Sequence, residues 1–203
     1  KLLGFDERMF LDSFGLAYHQ ASGNLQGMYE GSLAKRLGPG FAVRNGMMSS
    51  LLAQRGIGGA NEVLEGRYGL FNVYYGGAYS QDHLTRNLGS QYWIEDLSFK
   101  PYPCCRAAHA AIDAILALRH ENHLIAEEVD CIVVRVSDKF KQLLFEPTSD
   151  KRRPKTVVDA QFSIPWTVAT ALVHGRVGHE AFTEKGINDP DTLVISEKVV
   201  GEA

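Results

Sequence analysis

The sequence predicts an α+β chain: helical over residues 1–92, with a small α/β arrangement over 93–203. Three observations predict it. Apolar residues recur at three- and four-residue spacing through most of the first 88 positions, the period of an amphipathic helix. Val129-Asp130-Cys131-Ile132-Val133-Val134-Arg135-Val136 is rich in β-branched residues and reads as a strand. Between an alternating run, Tyr92 to Phe99, and that strand lies a helix-patterned stretch from Cys105 to about His120. The change of texture puts a domain boundary near residues 90–98. No internal repeat is visible.

The elements are these, in chain order. Asp6 can cap a helix to about Ala21, with Phe10, Phe14, Ala17 and Tyr18 at helical spacing. Residues 24–38 are Gly-rich and polar and read as a loop with a short helical turn. Pro39 suits a first helical position, and Phe41, Ala42, Met48, Leu51 and Leu52 carry that helix to Arg55. Gly56, Gly58 and Gly59 end it. Residues 62–65 and 80–88 read as short helices around a Gly- and Tyr-rich loop. After the 129–136 strand, 138–145 is ambiguous and 146–155 reads as a polar, basic loop. A helix pattern from Val158 to His174 contains Pro165, which must kink it or set a later start. Residues 191–200 read as a closing helix. Lys1-Leu2-Leu3-Gly4 looks like the middle of a longer protein, and residues 197–203 run on without a stop. The expectation is an internal piece of a longer chain.

Composition excludes several classes. Of the 203 residues 45% are hydrophobic, enough to bury a core. A net charge of -3 gives no footprint for bulk nucleic-acid binding. No apolar run approaches the roughly 18–20 residues that span a bilayer. The first ten residues carry Asp6, Glu7 and Arg8 and do not read as a signal peptide. Three cysteines, two of them adjacent, make no disulfide framework. A reducing cytoplasm is expected.

Several motifs point to chemistry they cannot perform. Gly56-Ile57-Gly58-Gly59-Ala60-Asn61 approaches a dinucleotide fingerprint, but it lacks the third glycine and comes after a helix, so it reads as a turn. His120 and His123 are three apart, yet no third ligand is in sight, and adjacent Cys104 and Cys105 cannot both comfortably ligate one ion. No metal and no cofactor are expected. Lys151-Arg152-Arg153-Pro154-Lys155 lacks interleaved aromatics and reads as a solvated loop.

One segment does carry chemistry. Ser98-Phe99-Lys100-Pro101-Tyr102-Pro103-Cys104-Cys105-Arg106-Ala107-Ala108-His109 gathers a lysine, two thiols, an arginine and a histidine at the entry to a helix. The prolines stiffen the approach. A helix N-terminus beside cations is an anion site, here for a carboxylate or phosphate. Lys35, among glycines before a helix, could reach an anion too, though its spacing equally suits a surface lysine.

Four motifs then occur in order: Ser32-Leu33-Ala34-Lys35-Arg36-Leu37-Gly38-Pro39-Gly40-Phe41-Ala42, Leu52-Ala53-Gln54-Arg55-Gly56, the Lys100 to His109 segment, and Asp159-Ala160-Gln161-Phe162-Ser163-Ile164-Pro165. Together they resemble the MmgE/PrpD family, which includes 2-methylcitrate dehydratase, cis-aconitate decarboxylase and iminodisuccinate epimerase. The resemblance implies a large helical domain with a smaller α/β lid domain, and metal-free chemistry on di- and tricarboxylates in a homodimer. It implies catalytic roles for Lys35, Lys100 and His109. It implies substrate contacts from Cys105, Arg106, Gln161, Ser163 and Trp166. There are departures. Gly38 stands where many members have a histidine, Cys105 where the decarboxylases have one, and Trp166 where a tyrosine is frequent. The Cys105 departure argues against a decarboxylase. The expected activity is a 2-methylcitrate-type dehydratase. The alternatives are an isomerase or epimerase of the same family, or a non-catalytic carboxylate-binding homologue.

Overall fold

A computed structural model describes residues 2–203. In chain order the elements are α1 (Glu7–His19), α2 (Gln26–Tyr29), α3 (Ala34–Gln54), α4 (Leu70–Tyr75) and α5 (Gln81–Thr85), then α6 (His109–Asn122) and β1 (Ile132–Arg135). After these come α7 (Asp138–Leu144), α8 (Thr148–Arg152), α9 (Val157–Gln161), α10 (Ile164–His174), α11 (Glu184–Ile187), α12 (Pro190–Ser196) and β2 (Val199–Glu202). Short 3₁₀ turns join several of them. The fold is thus mostly helical with one small sheet. The chain divides into two compact units. The first holds the residues up to Asn24 and Ala34–Leu97; the second holds Leu25–Leu33 and Ser98–Ala203.

In the first unit α1 packs on α3. Asp6 caps α1 by accepting from Met9 N–H at 2.8 Å. The residues α1 buries most deeply are not its regularly spaced aromatics. Phe10 and Phe14 stack on each other and stay half exposed, while Asp12 and Gly15 are buried. The reason is the glycine run. Gly59 donates its N–H to Asp12 Oδ1 at 2.9 Å, and the Gly15 and Gly59 backbones touch so closely that a Cβ at either position would run into main chain. The run is a turn, as the sequence predicts: α3 ends at Gln54, and Gly56 adopts φ +82° just beyond it.

Three readings here need correction. α3 starts at Ala34, so Pro39 lies inside it; favourable residues before the proline outweigh one missing hydrogen bond. Residues 62–65 form a turn, and the helix is α4, within the predicted loop. Residues 92–99 are not a strand. Trp93–Asp96 make a 3₁₀ turn, because no neighbouring strand among the described residues offers them a ladder.

The second unit is built around α10. Residues 164–172 of α10 are all buried, which suits a helix that is apolar on every side. α6 covers one flank with Ile112 and Ile115, joined by Ala108 just before it; α12 covers another with Ile195. Arg119 of α6 donates to the Leu172 carbonyl at 2.9 Å. The predicted 158–174 helix is two helices. Ser163 caps the second by accepting from Trp166 N–H, and Pro165 sits in its first turn. The predicted strand is shorter, Ile132–Arg135, and pairs in parallel with Val199–Glu202 in the register Ile132↔Val199. Residues 197–203 therefore end in strand, not in a helix running on. Residues 138–145 and 146–155, ambiguous or read as loop, contain α7 and α8.

The Asp12 clasp has a measurable consequence. Gly59 N–H and then Arg8 favour its charged form and hold its carboxyl below the ordinary 3.8. That stabilisation is therefore present above the ordinary value and is lost as pH falls through it and below. Gly15→Ala should destabilise the fold by about 1–3 kcal/mol through overpacking. Asp12→Asn should flatten the acid limb of a stability-versus-pH curve; an unchanged acid limb would show that the clasp is idle.

Candidate functional site

In the second unit the Lys-Pro-Tyr-Pro segment is fastened at its C-terminal end by two hydrogen bonds to Gln161. Cys105 N–H donates to the Gln161 carbonyl at 2.8 Å, and Gln161 Nε2 donates to the Pro103 carbonyl at 3.0 Å. Gln161 is the last residue of α9, so the break between α9 and α10 is what holds the segment. Lys100 is exposed, with Nζ on the Cys104 carbonyl at 3.3 Å. The first turn after Cys105 is 3₁₀, Arg106–Ala108, and the α-helix proper begins at His109. Arg106 is exposed and Cys105 half-buried. Lys100, Cys105, Arg106 and Gln161 are thus brought together around one short stretch of chain.

The other predicted site residues are placed differently. His109 is only 9% exposed; its ring meets Tyr102 edge-on at 5.3 Å, and its Nε2 is buried with no hydrogen bond. Tyr102 in turn donates to Asp113 Oδ1 at 2.6 Å. Burial first, and Asp113 second, push the Tyr102 phenol up to about 12. Ser163 and Trp166 are wholly buried. The Ser163 hydroxyl donates to the Lys151 carbonyl and accepts from Trp166 N–H, so both its roles are taken up by the fold. Trp166 packs on Phe182 at 5.4 Å. Both shape the core under the segment. Lys35 is exposed, the second residue of α3 in the first unit.

The basic run needs correction, since it is not a solvated loop. Lys151 is 6% exposed. Arg152 donates to the Val199 carbonyl at 2.9 Å, Arg153 reaches Glu197 at 2.6 Å, and Lys155 lies 3.6 Å from Asp150. Burial chiefly lowers the Lys151 pKa, against Asp159, Asp150 and the Cys105 thiol. Sequence reasoning missed this lysine, because a five-residue helix gives no periodic signal that one of its charges points inward.

A cavity of about 540 Å³ lies elsewhere in the second unit, beside Trp166, His174, Arg176, Glu180 and Asp189. There Asp189 caps α12 and pairs with His174 Nε2 at 3.0 Å, so its polar groups serve the fold. Among the described residues no three His, Cys, Asp or Glu side chains gather as metal ligands. No helix among them is long and apolar enough to cross a membrane.

The thiols differ sharply. Burial, and then the neighbouring Cys105, push Cys104 up to about 12, although Lys100 opposes them. Cys104 is therefore a neutral, inert thiol at pH 8, while Cys131 is exposed. Peptide mapping after iodoacetamide treatment should find Cys131 alkylated and Cys104 unmodified until denaturant opens the fold. Alkylation of Cys104 at the rate of Cys131 would contradict the packing described above.

Comparison with known proteins places this geometry in context. Residues 1–82 match the MmgE/PrpD N-terminal domain and residues 102–203 the MmgE/PrpD C-terminal domain. Cis-aconitate decarboxylase of Aspergillus terreus (strain NIH 2624 / FGSC A1156) is 28% identical over 98% of this chain and 43% of its own length. The mouse (Mus musculus) cis-aconitate decarboxylase is 28% identical over 81% of this chain and 34% of its own. The mitochondrial 2-methylcitrate dehydratase of Yarrowia lipolytica (strain CLIB 122 / E 150) is 25% identical over 79% and 30%. The chain spans less than half the length of these relatives. With both domains matched in order across most of its residues, the chain belongs to the MmgE/PrpD family.

Proposed function

We propose that the whole protein is a lyase acting on a tricarboxylate, a dehydratase of the 2-methylcitrate type. The observation that carries this reading is Lys100, a cation at the head of a proline-stiffened turn that Gln161 fastens from the α9 end. Loss of water from such a substrate removes a proton from a carbon next to a carboxylate and expels hydroxide. Negative charge grows beside that carboxylate. A cation already in place stabilises it without reorganisation. Lys100 and Arg106 are proposed to hold the carboxylate. Lys35 is proposed to take part in proton transfer, on the family resemblance. His109, locked against Tyr102, is proposed to act from behind the segment, on the same resemblance.

A second reading, decarboxylation, is supported by the names of the fungal and mouse relatives. Cys105, where the resemblance puts a histidine in decarboxylases, favours dehydration. A homodimer is part of the proposal, supported by the apolar side chains that α3 leaves exposed, Phe41, Met47, Met48 and Leu51. A cytoplasmic location is part of it too.

The test is kcat/KM in the whole protein on 2-methylcitrate, citrate, cis-aconitate and an epimerisable dicarboxylate. Lys100→Ala should lower it on the order of a hundredfold, the loss typical of a positioned donor to a developing anion. Lys139→Ala, which removes an exposed lysine of α7, should change it a few-fold at most. Water or carbon dioxide as the small product separates the two readings. Equal small effects of the two variants remove Lys100 from the site. A wild type that binds carboxylates but turns none over supports a binding protein instead.

A further inference from the structure

Lys151 is a charged residue of the second unit whose burial the fold does not explain. It is 6% exposed, yet its ammonium has no hydrogen bond or ion pair among the described residues. A buried charge in that position is costly unless something pairs with it. The ammonium is also not sealed in. The sealed, partnerless side-chain atoms among the described residues are His109 Nε2, Arg152 Nε and Trp166 Nε1. Lys151 instead lines a cavity of about 120 Å³ with Tyr29, Glu30, Pro147, Asp150, Lys155 and Asp159.

Three of those neighbours are acids, and each is already engaged. Asp159 accepts from Thr156 N–H at 3.0 Å and from its hydroxyl at 2.9 Å, closing the cap of α9. Asp150 pairs with Lys155. Glu30 accepts from Gln26 Nε2. Among the described residues, the lysine is thus the cavity-lining charge left without a partner. Its surroundings connect it to the substrate segment. Ser163 holds its carbonyl, and the Cys105 thiol lies within electrostatic reach of its ammonium. The space admits a carboxylate arm and a few waters, not a whole tricarboxylate. Tyr29 also lines this space.

We propose that this cavity is a subsite for one carboxylate arm of the substrate and that Lys151 is the residue that binds it, an inference that rests on the tricarboxylate reading above. Lys100 then meets the carboxylate at the reacting carbon, and Lys151 a remote one. Remote binding of this kind selects among substrates by the number and reach of their carboxylates.

The experiment is calorimetric titration of the whole protein with tricarballylate, a tricarboxylate with no hydroxyl to eliminate. Lys151→Met should weaken its binding by roughly ten- to a hundredfold, the worth of a hydrogen bond to a charged group. The ligand-free Tm should stay level or rise, since an unpaired buried charge has been replaced by an apolar side chain. Lys151→Arg should retain part of the affinity, and Lys139→Met all of it. Binding within twofold of wild type in Lys151→Met, at an unchanged Tm, overturns the subsite and leaves the tricarboxylate reading standing. A wild type that binds neither tricarballylate nor citrate overturns both. Should Lys151→Met fail to fold, trinitrobenzenesulfonate labelling of the wild type decides: saturating tricarballylate must slow modification of Lys151, and labelling at an unchanged rate overturns the proposal.

Discussion

The second unit depends on the break between α9 and α10. A single helix over this stretch would keep its backbone groups to itself. Because Pro165 has no N–H and Ser163 caps α10, the chain stops being helical at Gln161 and Phe162. That frees the Gln161 carbonyl for Cys105 N–H and turns its amide towards Pro103. It also frees the Ser163 hydroxyl to hold the Lys151 carbonyl. One interruption therefore fastens the Lys-Pro-Tyr-Pro turn on one side and orients α8 on the other. Removing the Ser163 hydroxyl would loosen α8 and the start of α10 at once, since the Lys151 carbonyl and the Trp166 N–H would each lose a partner.

The features legible in the sequence arise from local rules. The Asp6 cap, the glycine turn after α3 and the apolar face of α6 depend on residues within a few positions of one another, and each is where the pattern puts it. The clearest misreadings depend on distant partners. Trp93 to Phe99 alternate like a strand but have none to pair with among the described residues, whereas Val199–Glu202 lie where a helix is expected and are drawn into β2 by Ile132–Arg135. Phe10 and Phe14 have helical spacing, yet the close approach of Gly15 to Gly59 decides which face of α1 is buried. The Lys100 to His109 segment stands out in the sequence because its residues are contiguous. Lys151 does not, because the cavity it lines brings in Tyr29 and Glu30 from far away in sequence.

The family signature and the observed packing assign different jobs to residues of one motif. Gln161, Ser163 and Trp166 are neighbours in sequence, and the resemblance implies that all three contact substrate. In the fold, Ser163 and Trp166 are core, and Gln161 works through its backbone carbonyl and its amide to hold Pro103 and Cys105. A shared motif can thus reflect the support of a site as much as its surface. Trp166 belongs to that support, with its indole buried against Phe182.

Lys100 and Lys151 solve opposite electrostatic problems. Lys100 is solvated, so its charge costs little, but water screens it until something excludes the water. Its position on the Cys104 carbonyl fixes where that charge stands. Lys151 is largely withdrawn from solvent, so a carboxylate arriving there would meet an ammonium screened less than that of Lys100, and the attraction would be stronger for the lower polarity around it. The cost falls on the empty state, in which burial draws the ammonium towards its neutral form against the pull of Asp159 and Asp150. A carboxylate supplies what those engaged acids cannot, a direct partner at hydrogen-bonding distance. The stability the empty fold gives up at Lys151 is then returned only when an anion of the right reach is bound, which makes the residue a device for discrimination.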